Sequence, residues 1–178
     1  WISNLTSKGS KVLLANTCFR TIFANDIKKE AQVAWTNYFS KRNVPSSIYW
    51  KESIVNLVKL YKEMGLSVFP KNVDVVTGGF PCQDFSIAGK RLGFNSQTSH
   101  DGKKINDNQL PQSESRGQLY MWMKEVISIV QPKVFVAENV KGLVNLGDVK
   151  KIIEKDFSSI GENGYLVVNA QVLHAADY

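Results

Sequence analysis

A chain of 178 residues is one domain's worth, and its 43% hydrophobic content is ordinary for a globular fold with a real core, which excludes a fibre or a disordered tail. No apolar run approaches the roughly 20 residues of a membrane helix, and the amino terminus lacks the zones of a signal peptide, so a cytosolic protein is expected. Lys+Arg 22 against Asp+Glu 16 leaves +6, a balance suited to a polyanionic partner such as nucleic acid.

Residues 20–24 form a short apolar run, Arg-Thr-Ile-Phe-Ala, that reads as a strand closing on Asn25-Asp26. A helix is expected over 28–39, where Ala31, Ala34, Trp35 and Tyr38 recur at helical spacing, until Pro45 and Ser46-Ser47 end the unit. A weak extended piece follows at 49–54, then a helix over 55–64 with Gly65 at its stop. Residues 73–77, Val-Asp-Val-Val-Thr, predict a buried strand that breaks at Gly78-Gly79-Phe80-Pro81-Cys82-Gln83. The almost wholly polar stretch 95–115 has little to bury and predicts a long mobile loop. Leu119, Met123, Val126, Ile127 and Val130 keep helical spacing up to Pro132, and 133–137 predicts a second buried strand ending at Glu138-Asn139. A helix over 149–157 and a strand over 165–173 complete the pattern.

Strands alternating with crossover helices predict an α/β fold, a mostly parallel open sheet with flanking helices whose ligands sit at the carboxyl ends of the strands. Asp26, Cys82 and Glu138 all fall at such ends. Neither Cys18 nor Cys82 belongs to a spaced Cys/His set that could hold zinc, so no metal is expected. Cys18, near Leu13, Leu14 and Phe19, reads as packing, and His100 and His174 as structural or solvent-facing. Most cysteines are small buried hydrophobes, but one on a glycine-lined loop at a sheet rim has a chemical reading, because thiolate is a nucleophile that nearby N–H groups favour.

Phe80-Pro81-Cys82-Gln83 after one apolar strand and Glu138-Asn139-Val140 after another resemble the paired signatures of the DNA cytosine-C5 methyltransferases. The pair comes in that family's order, flanked by Ser86-Ile87-Ala88-Gly89-Lys90 and Ser115-Arg116-Gly117 and followed by Ala175-Ala176-Asp177-Tyr178. The resemblance implies a Rossmann-like, S-adenosylmethionine-dependent methyltransferase fold, incomplete at both ends. It implies transfer of a methyl group to C5 of cytosine in double-stranded DNA, on a base flipped out of the duplex. Cys82 matches the nucleophile and Glu138 the acid at N3, with Asn139 fixing that carboxylate and the nearby loop.

For the methyl donor, the family holds the ribose with an acidic residue that matches Asp26, and Ile27 would cover an adenine face. Asp26 also reads as a helix N-cap, a role compatible with the first. Ser53-Ile54 stands where the family usually has Asp and an apolar residue, and Phe80, Pro81 and Leu119 match positions lining the donor pocket. Gln83, Ser86, Lys90 and Arg116 match positions that meet the DNA backbone or the gap left by the base.

The likeness is good over 26–178 and poor before it. The family's Phe-x-Gly-x-Gly-Gly turn would fall at residues 4–9, where only Gly9 fits, and most of the first strand would precede Trp1. Gly-x-Pro-Gln and a target recognition domain would lie beyond Tyr178. The expectation is therefore a fragment, residues 1–178, of the donor-binding catalytic domain of a larger cytoplasmic protein of bacterial or phage origin, serving restriction-modification. The alternative is a degenerate or split family member, completed by a second chain, that binds DNA without methylating it alone. A thiol hydrolase pairing Cys82 with a histidine base is a third reading, disfavoured because neither His100 nor His174 has a partner suggesting a relay.

Overall fold

The computed structural model describes residues 6–8, 11–13, 18–80, 119–145, 148–174 and 176. Thr6–Lys8 (β1) and Lys11–Leu13 (β2) pair antiparallel. Then come β3 (Ala24–Asn25), α1 (Lys29–Ser40), β4 (Tyr49–Trp50), α2 (Ile54–Met64) and β5 (Val75–Gly79). Tyr120–Val130 (α3), Val134–Glu138 (β6) and Val149–Ser158 (α4) complete the order. β3 pairs parallel with β4 and β5 with β6, each pair joined through a helix as a parallel connection requires. The expected alternation is therefore present, as two small parallel sheets. Among the described residues no strand joins the β3–β4 pair to the β5–β6 pair.

Local chemistry explains the helix bounds. Ser53 caps α2, its hydroxyl accepting from the Val55 N–H at 3.3 Å, and Gly65 at φ 67° takes the left-handed position that ends it. Gln131 ends α3 in the same conformation, its N–H on the Ile127 carbonyl at 2.8 Å, and Pro132 cannot continue the helix.

Two apolar clusters hold the layers. Ile127, wholly buried, packs with Met123, Ile153, Phe157 and Ile160 under β5 and β6, which contribute Val76 and Phe135. Leu57 and Val58 of α2 pack with Val68 and Phe69, against Phe23 and the Val126 and Val130 side of α3. Between the helices, Lys62 pairs with Glu125, and the Tyr120 hydroxyl donates to Asp156 Oδ2 at 2.8 Å, beside Lys124 at 3.3 Å from Oδ1. Burial first, and then the Asp156 bond and charge, push the Tyr120 phenol above its usual range. The neutral phenol is therefore favoured by folding. Its contribution is fully present below pH about 10 and lost as pH rises through the higher folded value. Tyr120→Phe is expected to lower stability by about 1 kcal/mol in urea titrations at pH 7 and to flatten the loss of stability above pH about 10.

Several expectations are corrected. The strands expected at 73–77 and 133–137 stand at 75–79 and 134–138, so β5 runs through the Gly78-Gly79 pair expected to break it, and both are covered on one face only. Side chains alternate, so Val76 and its partner Phe135 face the core while Val134 and Val136 remain 53% and 52% exposed. Residues 165–173 form no ladder, although Tyr165 and Val167 turn inward and Leu166 is 95% exposed. The strand expected at 20–24 shortens to Ala24–Asn25. Cys18 is exposed beside Phe19, itself 63% exposed, so the packing role assigned to that cysteine fails. On α1, Ala34 and Tyr38 face solvent, Tyr38 beneath the Arg42 guanidinium, and only Trp35 engages the strand layer, against Tyr49. Residues 6–8, within the span expected to carry the glycine turn, belong to the antiparallel pair.

Candidate active site

The carboxyl ends of β5 and β6 lie side by side, with Gly79 directly opposite Glu138. A Cβ added at Gly79 would stand 3.3 Å from Glu138 Oε2 and 3.6 Å from its carbonyl oxygen, so glycine leaves the space in which the carboxylate lies. Gly78 serves the other face, where a Cβ would meet the Met123 sulfur at 3.1 Å. The Gly78-Gly79 pair thus admits a helix below the strand and an acid above it. Glu138 is exposed at this rim.

Asn139 links the two strand ends. Its Nδ2 donates to the Phe80 carbonyl at 3.0 Å, and its Oδ1 accepts from the Val140 N–H at 2.8 Å. The bonds found for its side chain go to backbone groups and not to the Glu138 carboxylate. Phe80 and Leu119 are buried in the cluster beneath, with Phe80 tilted against Tyr120 at 6.2 Å and Ile54 packed at the margin.

A second rim lies at the ends of β3 and β4. Asp26 Oδ1 accepts from the Lys28 N–H at 2.8 Å, and the Asp26 N–H donates to the Trp50 carbonyl at 3.3 Å. The N-cap position itself belongs to Lys28, whose side chain makes no cap bond, so Asp26 closes a turn ahead of α1 instead of capping it. Ile27 beside it is 45% exposed. Burial, and then the Asp26 charge, raise the Tyr49 phenol, and its hydroxyl has no hydrogen-bond partner among the described residues. Ser53 is buried with its hydroxyl on the helix cap, so a ligand at this rim would meet its backbone or Ile54. A depression of about 390 Å³ between β4 and α2, lined by Ser47, Tyr49, Trp50, Lys51, Glu52, Leu57 and Leu60, contains none of the residues singled out from sequence.

Pro81, Cys82, Gln83, Ser86, Lys90 and Arg116, with the polar stretch 95–115, lie outside the described residues. β5 nevertheless ends three residues before Cys82, and the Asn139 amide fixes the carbonyl two residues before it. The model for the C-5 cytosine-specific DNA methylases matches residues 7–178. The chain belongs to this family.

The Type II methyltransferase M.BspRI of Lysinibacillus sphaericus is 33% identical over 162 residues, 90% of this chain and 30% of that protein. M.BsuRI of Bacillus subtilis is 35% identical, over 90% of this chain and 29% of its own length. M.AquIA of a Picosynechococcus species is 29% identical over 76% of the chain and half of itself. The chain thus spans less than a third of the first two relatives. No helix among the described residues is long and apolar enough to cross a membrane.

Sequence reading missed two features of this site. The space at Gly79 depends on a register across 59 residues of chain, for which the Gly-Gly pair was the available signal. The other is Asn25, adjacent to the residue that was singled out.

Proposed function

We propose that this chain supplies the chemical core of a DNA cytosine-C5 methyltransferase acting on double-stranded DNA, within a Rossmann-like sheet. The observation that supports this best is the juxtaposition of an acid and the segment leading to a cysteine. Glu138 lies over Gly79, and Asn139 ties down the Phe80 carbonyl at the approach to Cys82.

C5 of cytosine is too weak a nucleophile to take a methyl group while the ring is aromatic. The Cys82 thiolate adds at C6, forming a C–S bond, while Glu138 gives a proton to N3, and the electron pair moves to C5. Once C5 carries the methyl group, its proton is removed to a base, the C6–S bond breaks, the thiolate leaves, and the N3 proton returns to Glu138. Gln83, Ser86, Lys90 and Arg116 hold the opened strand.

The donor is S-adenosylmethionine, which when bound supplies an electrophilic methyl group on a sulfonium. The residues of the β3–β4 rim suit it: an exposed carboxylate at a strand end beside an exposed apolar side chain. Asp26 receives the ribose hydroxyls, and Oδ1, with one Lys28 bond, keeps acceptor capacity. Ile27 and Ile54 would flank the adenine, and Phe80, Pro81 and Leu119 are the further residues that would line the donor pocket.

The test is transfer of labelled methyl groups from S-adenosylmethionine to duplex DNA by the full-length protein, with the product read as 5-methylcytosine. Label there supports the reading. DNA retention without label would favour a split or degenerate member, the reading suggested by the antiparallel β1–β2 pair near the donor turn's expected place. Addition of a purified second chain that restores label would identify the split form.

Gly79→Ala is expected to push the Glu138 carboxylate aside by a few tenths of an ångström. A misplacement of that kind costs on the order of tenfold in turnover, with duplex affinity unchanged, as single-turnover rates and a binding isotherm would show.

A further inference from the structure

The β3–β4 ladder has just two residue pairs, Ala24 with Tyr49 and Asn25 with Trp50, too short a ladder to hold a ligand rim rigidly by itself. The side chain of Asn25 extends it. Its Nδ2 donates to the Trp50 carbonyl at 2.8 Å and to the Glu52 carbonyl at 2.7 Å, spending both amide hydrogens on the segment that leads into α2. The Trp50 carbonyl also takes the Asp26 N–H, so one oxygen joins Asn25, Asp26 and β4. Glu52 carries the chain of bonds onward. Its Oε1 accepts from the Ser53 N–H at 2.8 Å and from Asn56 Nδ2 at 2.8 Å, fixing the first turn of α2 where Ile54 begins.

The geometry points to Asn25 as a positioning residue for donor binding. It makes no contact with the donor; it sets the spacing between the strand end that carries Asp26 and Ile27 and the segment that carries Ser53 and Ile54. This inference rests on the reading of Asp26 as the ribose acceptor. Asp and Asn have the same shape, but an aspartate at position 25 would aim a negative oxygen at two carbonyl oxygens, so the segment 50–54 would move away from the rim.

Calorimetric titration of the full-length protein with S-adenosylmethionine, and separately with S-adenosylhomocysteine, tests this. Asn25→Asp is expected to weaken both on the order of tenfold, the scale of one to two neutral hydrogen bonds, while the affinity for duplex DNA stays unchanged. Asn25→Ser, which keeps one short donor and serves if Asn25→Asp does not fold, is expected to fall between. Tyr165→Phe removes a hydroxyl bond to the Pro132 carbonyl at 2.6 Å, on the β6 side of the fold, and controls for lost stability. Donor affinity should not change in it. Equal weakening in Tyr165→Phe, or unchanged affinity in both Asn25 variants while Asp26→Ala weakens binding, would overturn the positioning role alone. Unchanged affinity in Asp26→Ala as well would overturn the ribose assignment with it.

Discussion

Cys82→Ala is expected to abolish methyl transfer, by at least about 10⁴-fold, the scale on which loss of a covalent nucleophile acts in other enzymes. The chemistry requires this size of effect. Without addition at C6 there is no electron-rich C5, and no neighbouring hydrogen bond substitutes for the missing C–S bond. Duplex affinity should persist, because the contacts read for Gln83, Ser86, Lys90 and Arg116 are left intact. Duplex carrying 5-fluorocytosine, with S-adenosylmethionine present, makes the test direct: once C5 carries the methyl group, fluorine there cannot leave as a proton does, so the C6–S bond cannot be released and the adduct survives denaturation. The parent protein and Cys18→Ala should both form it, since Cys18 is an exposed residue with no part in the reading, and Cys82→Ala should not. An adduct that persists in Cys82→Ala and vanishes in Cys18→Ala would reassign the nucleophile.

The second large effect is expected at Glu138. Glutamine there keeps the shape and one hydrogen bond to N3 but cannot transfer a proton, and general acid catalysis typically contributes on the order of 10²–10⁴-fold. Turnover in Glu138→Gln should fall by that factor with the KM for duplex little changed. Adduct with 5-fluorocytosine DNA should form more slowly, because protonation at N3 accompanies attack at C6. If turnover is retained and duplex affinity drops instead, Glu138 is a binding contact and the acid lies elsewhere. Gly79→Ala separates position from chemistry at the same site, since it moves the Glu138 carboxylate without removing it.

Much of this was legible in the residues because it is local. The α2 bounds follow from Ser53 and Gly65, and the end of α3 from Pro132, all groups within a few residues of the backbone they satisfy. The strand end before Asp26 was equally readable, since turn-forming residues interrupt an apolar run there, whereas β5 runs on through the Gly78-Gly79 pair expected to break it. Ser53 shows the limit of matching by position. Matched to a position at the adenine, it is also a buried cap whose hydroxyl accepts from the Val55 N–H.

The exposed faces of β5 and β6 were not legible. An apolar run predicts burial on both faces, whereas coverage depends on which neighbours the fold brings. Here Val76 and Phe135 found the helices, and Val134 and Val136 did not. The same holds for residues 165–173, where alternation of Tyr165, Leu166 and Val167 is strand-like but a ladder needs a partner backbone.

By itself, then, the amino-acid sequence determined which reactive groups are on offer, a cysteine shortly after one apolar run and a carboxylate after each of two others, because residue type and local turn propensity are properties of short segments. The tertiary structure alone decided that the Glu138 carboxylate lies over Gly79, that Asn139 reaches the Phe80 carbonyl, and that Asn25 clasps the chain ahead of α2. These depend on the register of strands separated by 25 to 59 residues, which arises from packing of the whole domain and leaves no periodic trace in any one segment.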